Sequence, residues 1–351
     1  MDLIANNKRD VKKSDGNGTL LSVRNLSAHF FTEEGIVRAV QDVGFSIRRG
    51  RTLALVGESG CGKTATALSI MRLVPAPQGK IISGQIVFEE RSLLDLNEKE
   101  MREIRGNRIA MIFQEPMSSL NPVYAVGDQI AEAIKVHQKK GRKEAWADVV
   151  EMLRAVGIAD PRRRVREYPH QMSSGMCQRV MIAMAVSCEP VLLIADEPTT
   201  ALDVTTQGKI LDLLDELQRQ NGMSVLLITH DLGVVAQRAD DVAVMYASRI
   251  VETAGSRRLF AEPLHPYTQG LWESLPRLGF KGRRLRTIPG AVPEPLRFPA
   301  GCKFHPRCPK GRSDERCRSV EPELREVEAG RRVACWHARG YEESQSVKCK
   351  V

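Results

Sequence analysis

The stretch Arg51–Thr64, RTLALVGESGCGKT, decides the fold, because it joins an apolar run to a glycine-rich turn. Its second part fits the pattern G-x-x-x-x-G-K-[ST], in which backbone N–H groups and a lysine surround phosphate and a hydroxyl ligates Mg²⁺. The apolar run predicts a buried strand, and Thr64–Leu73 predicts the helix that follows. Strand, loop and helix in this order are typical of a phosphate-binding α/β fold. The candidate binding residues are Gly57, Ser59, Gly60, Cys61, Gly62, Lys63 and Thr64.

Two further apolar runs predict buried strands that end in polar residues. Val191–Ala195 leads into Asp196 and Glu197, and Ser224–Thr229 leads into His230. Because functional groups of parallel sheets gather at the carboxyl ends of strands, we expect these side chains beside the phosphate loop. Asp196 would then hold Mg²⁺ and Glu197 would polarise the attacking water, with His230 bonded to the γ-phosphate. A solvated turn for the acidic pair and a structural histidine are the alternatives.

The composition is that of a folded chain without a membrane span. Its 351 residues are 42% hydrophobic and 27% charged, and this length accommodates about two domains. The longest uninterrupted apolar run is Val180–Val186, which is far shorter than the roughly 18 residues that cross a bilayer. The first residues contain no apolar signal region, so we expect the chain to stay in the cytosol.

The net charge of +9 lies almost entirely in the last part of the chain. Residues 278–351 contain 17 basic and 9 acidic residues, a balance of +8. Such an excess indicates an anionic partner: nucleic acid, nucleotide phosphates or a membrane surface. Only 5% of residues are aromatic, and none alternate with Lys or Arg as a nucleic-acid surface requires, so we expect no nucleic-acid partner.

Together these motifs resemble the ATP-binding subunits of ABC transporters over about residues 20–255. The resemblance implies a P-loop, RecA-like α/β domain with an antiparallel β subdomain, a helical insertion and a C-terminal extension containing cysteines. It also implies that Gln114 contacts the γ-phosphate, Mg²⁺ and the membrane subunits, and that Asp203 in the D-loop communicates across a dimer. Phe30 would stack on adenine, with Phe31 as the neighbouring candidate and strand core as the alternative for both.

Residues 172–176, MSSGM, align with the family signature Leu-Ser-Gly-Gly-Gln. A serine and free amides at a helix start can bind an anion, and the resemblance implies that this anion is the γ-phosphate of ATP held by the opposite subunit. The residues concerned are Ser173, Ser174, Gly175 and Met176. Ser174 departs from the family pattern, since its Cβ stands where close approach to phosphate favours glycine.

Three segments are typical of a smaller group within the superfamily: residues 114–122 (QEPMSSLNP), 196–204 (DEPTTALDV) and 265–268 (HPYT). They resemble the ATPases of oligopeptide, dipeptide and nickel importers, the dipeptide subunits most closely. This implies an ATP-hydrolysing subunit that energises peptide import at the cytoplasmic face of the membrane, with two transmembrane permeases, a second homologous ATPase and an extracytoplasmic solute-binding protein. The altered signature favours a heterodimer over a homodimer. A nickel or other small-solute importer, and a non-transport ATPase with a redox or nucleic-acid sensor, are the alternatives.

Four cysteines near the end of the chain, Cys302, Cys308, Cys317 and Cys335, are spaced C-x5-C-x8-C-x17-C. Four thiolates can hold Zn²⁺ or an iron–sulfur cubane. The spacing lacks the C-x-x-C pairs of structural zinc sites, and the dipeptide-type resemblance implies a [4Fe–4S] cluster, with zinc or unligated thiols as alternatives. We therefore expect three regions: a mobile leader (1–19), an ABC ATPase domain (20–255, helical subdomain about 115–175) and an extension with the four-cysteine module (256–351).

The serine in the signature gives a first testable prediction. Ser174→Gly is expected to raise ATP turnover in the assembled transporter, because removing the Cβ lets the signature backbone approach phosphate. Ser174→Ala is the matched control, since it keeps the Cβ, and its turnover should stay low. An unchanged rate in Ser174→Gly with wild-type nucleotide affinity would show that the Cβ does not limit the site.

Overall fold

The computed structural model describes residues 18–200, 202–274 and 287–346. Its strands are β1 (Thr19–Thr32), β2 (Gly35–Arg48), β3 (Thr52–Val56), β4 (Gly79–Phe88), β5 (Arg91–Ser92), β6 (Ile109–Ile112), β7 (Leu192–Asp196), β8 (Ser224–Thr229), β9 (Asp241–Tyr246), β10 (Arg249–Gly255), β11 (Arg325–Glu328) and β12 (Arg331–Val333). Its helices are α1 (Lys63–Ile70), α2 (Glu98–Ile104), α3 (Pro116–Ser119), α4 (Val126–Gln138), α5 (Arg142–Ala155), α6 (Pro161–Arg164), α7 (Ser174–Val186), α8 (Val204–Asn221), α9 (Leu232–Arg238), α10 (Ser256–Ala261), α11 (Pro266–Glu273), α12 (Glu315–Ser319) and α13 (Glu343–Ser346). Most of the predicted leader, Ala201 of the D-loop and Cys349 lie outside the described residues.

The central sheet has the strand order β11-β12-β10-β9-β3-β8-β7-β6. Strands β9, β3, β8, β7 and β6 are parallel neighbours. All residues of β3, β7 and β8 are buried, as expected for parallel strands covered on both faces. The three predicted core strands are confirmed to within one residue at either end.

A second sheet, ordered β2-β1-β4-β5, is antiparallel throughout. Its inward side chains share one apolar core with β3, α1 and the parallel strands; Leu21, Ile86 and Leu55 are completely buried there. The prediction of antiparallel strands at the front of the chain is confirmed, and this sheet stands beside the phosphate loop as a second layer.

The long segment between β6 and β7 is mainly helical, as predicted. Helices α4, α5 and α7 pack together around buried apolar side chains such as Ile130, Val149 and Val180. Helix α7 begins at Ser174, because the Ser173 side chain accepts a hydrogen bond from the Met176 N–H and caps the helix. No helix in the described ranges has the length and apolar character needed to cross a membrane.

The C-terminal extension continues the central sheet. Strand β12 pairs antiparallel with β10, where Glu252 lies opposite Val333, and β11 pairs with β12 to form the outer edge. The rings of Tyr246, Tyr267 and Phe304 contact one another with centroids 4.5 to 5.5 Å apart. Sequence periodicity gave no sign of this hairpin, because its two strands are only four and three residues long.

A buried ion pair ties the hairpin to the sheet. Arg331 on β12 and Glu252 on β10 are both fully buried, with nitrogen and oxygen 3.5 Å apart. Glu252 also accepts hydrogen bonds from the backbone N–H groups of Leu264 and His265, both at 2.9 Å. Burial raises the pKa of Glu252, and these donors and the Arg331 charge oppose that shift.

Replacing Arg331 by Met should therefore destabilise the extension. The change leaves the Glu252 carboxylate buried without its cation, a loss of about 3 kcal/mol in the free energy of unfolding. Urea unfolding followed by tryptophan fluorescence measures it, since Trp272 and Trp336 both lie in the extension. Arg332→Met, at the exposed neighbouring position, should change stability by less than about 0.5 kcal/mol. Equal midpoints for the two variants would contradict the role of the buried pair.

Candidate functional site

The glycine-rich loop runs from the end of β3 to the start of α1. Gly62 precedes the helix with φ of +106°, a conformation that favours glycine. A Cβ at this position would lie 2.1 Å from the carbonyl oxygen of Ala39. The backbone therefore packs too closely for any other residue, and the first N–H groups of α1, which have no acceptor within the helix, are left for an anion.

The Lys63 side chain is buried against this loop. Its side chain is 6% exposed, and its ammonium donates hydrogen bonds to the carbonyl oxygens of Gly57 at 2.9 Å and Glu58 at 3.1 Å. The ammonium also lies 3.9 Å from the Cys61 sulfur. A buried ammonium whose hydrogen-bond partners are neutral is a strong site for an anionic group. Phosphate oxygens suit the combination of this charge and the amides of the loop.

Asp196, the last residue of β7, is 1% exposed, and its Oδ1 atom has no hydrogen-bond partner within the described residues. Burial raises the pKa of Asp196; the neighbouring Glu197 adds to that shift, whereas a hydrogen bond from Thr64 and the charge of Lys63 oppose it. A buried carboxylate oxygen without a donor, beside a threonine hydroxyl, fits a divalent cation with hard oxygen ligands. The residues present therefore suit Mg²⁺.

Glu197 is the meeting point of three side chains. Its Oε2 atom lies 3.3 Å from Gln114 Nε2, 3.3 Å from His230 Nδ1 and 3.0 Å from the Thr200 hydroxyl. Glu197 has φ of +48°, a strained conformation for a residue other than glycine and one that is typical of functional positions. The structure thus brings together Gln114, Glu197 and His230, as predicted. Thr200 was not among the residues predicted for the site, although its position three residues after Glu197 could have indicated it.

The signature and the D-loop lie together at the starts of two helices. Ser173 caps α7, and Asp203 caps α8 by accepting a hydrogen bond from the Thr206 N–H at 2.9 Å. A Cβ on Gly175 would lie 3.2 Å from the Thr206 methyl group, so the two helix starts are in contact. The backbone N–H of Thr206 is the main reason why the pKa of Asp203 is lowered.

Phe30 and Phe31 occupy adjacent positions near the end of β1. Phe30 is half-buried next to Gly79, and Phe31 is 40% exposed with the Lys80 ammonium 5.6 Å from its ring centre. Both are close to the surface, so stacking of Phe30 on adenine stays a prediction.

Two family comparisons match the chain. Residues 40–200 match the family described as ABC transporter, and residues 251–317 match the oligopeptide/dipeptide transporter C-terminal region. A probable peptide ABC transporter ATP-binding protein of Sinorhizobium fredii is 54% identical over 91% of this chain and 95% of its own length. The dipeptide transport ATP-binding protein DppD of Bacillus subtilis is 53% identical over 83% of this chain and 87% of its own length. The DppD protein of Escherichia coli is 48% identical over 90% of this chain and 96% of its own length.

Solved structures agree with these matches. A dimeric ATP-binding cassette, MJ0796, in a post-hydrolysis state with ADP and Pi has a TM-score of 0.61 and 26% identity, covering 68% of this chain and 99% of its own. The fold and the site define an ATP-hydrolysing cassette of the ABC class. Within that class, the chain belongs to the family of peptide ABC transporter ATP-binding proteins.

The prediction of an iron–sulfur cluster is wrong on these findings. Among the described residues, the one group of three with ligand atoms within 4.8 Å of one another is Asp314, Cys317 and His337, which includes a single cysteine. The names of the relatives give peptide transport and ATP binding, and none of these names includes an iron–sulfur cluster. The thiols lie in apolar surroundings: Cys308 packs in the apolar core around Tyr246, and Cys335 packs beside Val333 and Tyr341.

Burial also favours the protonated thiols of this region. It raises the pKa of Cys302 to about 11, and the pKa values of Cys317 and Cys335 to about 12. Charges on the neighbouring cysteines add to each of these shifts.

Glu197→Gln is expected to reduce ATP turnover by about 10²- to 10⁴-fold while leaving ATP binding intact, because an amide cannot accept a proton from water. Phosphate release measures turnover, and equilibrium titration with a fluorescent ATP analogue measures binding. Glu103→Gln, on the exposed face of α2, is the control and should keep both. A near-normal rate in Glu197→Gln would assign the proton transfer to another group.

Proposed function

We propose that this chain is the ATP-hydrolysing subunit that energises import of peptides through an ABC transporter. The observation that carries the proposal is the convergence of Gln114 and His230 on Glu197, next to Asp196, which accepts a hydrogen bond from Thr64 of the phosphate loop. The chain also matches the oligopeptide/dipeptide transporter C-terminal region. The names of the relatives favour peptides over nickel as the solute.

Each group of the site has a role in this proposal. The N–H groups of the loop from Gly57 to Thr64 and the Lys63 ammonium bind the phosphates, and Thr64, Gln114 and Asp196 hold Mg²⁺, which neutralises charge on the phosphates. Glu197 orients the attacking water and accepts its proton. His230, at 3.3 Å from the Glu197 carboxylate, keeps that carboxylate aimed and reaches the γ-phosphate.

A complete site needs a second cassette. Ser173 and Ser174 are exposed at the start of α7, where the signature residues Ser173, Ser174, Gly175 and Met176 would meet the ATP held by an opposite subunit. The similar solved cassette is dimeric, which supports a head-to-tail pair with Asp203 at the contact. Ser174 in place of glycine favours a non-identical partner ATPase.

The remaining assembly follows from the family. Two transmembrane permeases and an extracytoplasmic solute-binding protein complete the transporter, and this chain works peripherally at the cytoplasmic face of the membrane. The proposed regions are the leader (1–19), the ATPase domain (20–255) with its helical subdomain near 115–175, and the extension (256–351). ATP binding drives transport by favouring the closed dimer.

Uptake of a labelled dipeptide by cells lacking this chain tests the proposal. Cells supplied with the wild-type chain or with Lys99→Ala, an exposed lysine on α2, should accumulate the peptide. Lys63→Ala should reduce uptake by about tenfold or more, because the phosphates lose their cation. Uptake that does not depend on Lys63 would refute transport of that peptide, and nickel uptake that depends on Lys63 without peptide uptake would reassign the solute.

A further inference from the structure

The C-terminal extension touches the phosphate loop directly, at Glu58. Arg307 donates to both carboxylate oxygens of Glu58, at 2.7 and 3.1 Å, in a two-pronged ion pair. The backbone N–H of the same glutamate donates to the hydroxyl of Tyr267 at 2.9 Å. The extension therefore holds one residue of the loop by its side chain and by its main chain.

Arg307 is itself fixed. Its side chain is 5% exposed, and its guanidinium donates to the carbonyl oxygens of Pro289 at 3.1 Å and Ile288 at 3.4 Å. It also lies over the ring of Tyr246, 5.8 Å from the ring centre. A planar guanidinium that is held by several hydrogen bonds can bind a carboxylate in one orientation only, so Arg307 sets the position of Glu58.

Glu58 in turn controls the shape of the loop. Its carbonyl oxygen accepts hydrogen bonds from the Lys63 ammonium at 3.1 Å and from the Cys61 N–H at 3.3 Å. A shift of this peptide unit would move both the lysine and the turn whose N–H groups face phosphate. Binding groups that are ordered before the ligand arrives cost less to order on binding.

A second contact supports the other side of the loop. Lys303 of the extension donates to the carbonyl oxygen of Ala247 at 2.9 Å, and the next residue, Ser248, donates its N–H to the Cys61 carbonyl at 3.0 Å. Lys303 is buried and also covers the ring of Phe298 at 4.1 Å. The extension thus contacts one end of this turn directly, at Glu58, and supports the other end, Cys61, through Ala247 and Ser248.

We propose that Arg307 is a positioning residue for ATP binding: through Glu58 it holds the phosphate loop in its binding shape without touching the nucleotide. The inference rests on ATP binding at this loop. It assigns the oligopeptide/dipeptide-type extension a part in the ATPase site of its own chain.

The test compares Arg307→Ala, Arg307→Lys and Glu58→Gln in the full-length chain, with Arg318→Ala, an exposed arginine of the same extension, as the matched control. The KM for ATP and kcat are measured in the assembled transporter, and ATP affinity by titration of the purified chain. Arg307→Ala and Glu58→Gln should raise KM and Kd for ATP about fivefold with kcat changed less than about twofold, because loop order is lost before binding.

Arg307→Lys should recover part of the affinity, since it restores the charge without the two-pronged geometry. Combining Arg307→Ala with Glu58→Gln should weaken binding no more than either change alone, because both break the same contact. A merely structural role would instead lower kcat through loss of folded protein and leave KM unchanged. That result, or effects of the two changes that multiply, would overturn the proposal, whereas failure of the wild-type chain and Arg318→Ala to bind ATP would refute the ATP site itself.

Discussion

The register of three parallel strands is the constraint on which the site depends. Val56 of β3 lies beside Thr229 of β8, and Asp196 of β7 lies beside Ile228, so the three strands end at one edge. Neighbouring strands are about 4.8 Å apart, close enough for side chains after their ends to meet. A slip of one residue in β7 would turn the Asp196 side chain to the opposite face of the sheet and separate it from Thr64.

The same sheet buries charged groups of the site that do not find all their partners within the described residues. Lys63 and Asp196 are buried beside the loop, and Asp196 keeps one oxygen without a donor. Burial of charged groups is unfavourable unless partners are supplied, and nucleotide phosphates with a divalent cation are the partners of opposite sign. The empty site is therefore less stable than one with neutral side chains, and bound nucleotide and cation compensate for that loss. The strained backbone of Glu197 is likewise an unfavourable feature located at the site.

Part of the positive charge of the extension is paired within the chain. Arg307 pairs with Glu58 of the phosphate loop and Arg331 with the buried Glu252, whereas Glu321 of the extension pairs with Arg249 of the body. Some of the excess positive charge after residue 278 therefore neutralises carboxylates of the ATPase body. The composition indicated an anionic partner for the extension, but composition does not show which basic side chains are paired with carboxylates of the same chain.

The sequence by itself determined the parallel core strands, the phosphate loop and the identity of the groups at the ends of β7 and β8, because these depend on local apolar runs and on spacing within one segment. Only the tertiary structure decided the hairpin β11–β12, the Arg307–Glu58 contact across 249 positions of chain and the apolar setting of the cysteines. Those features depend on which distant residues become neighbours. Cysteine spacing suggested a metal cluster, yet burial beside Tyr246 and Tyr341 was a property of the packed fold.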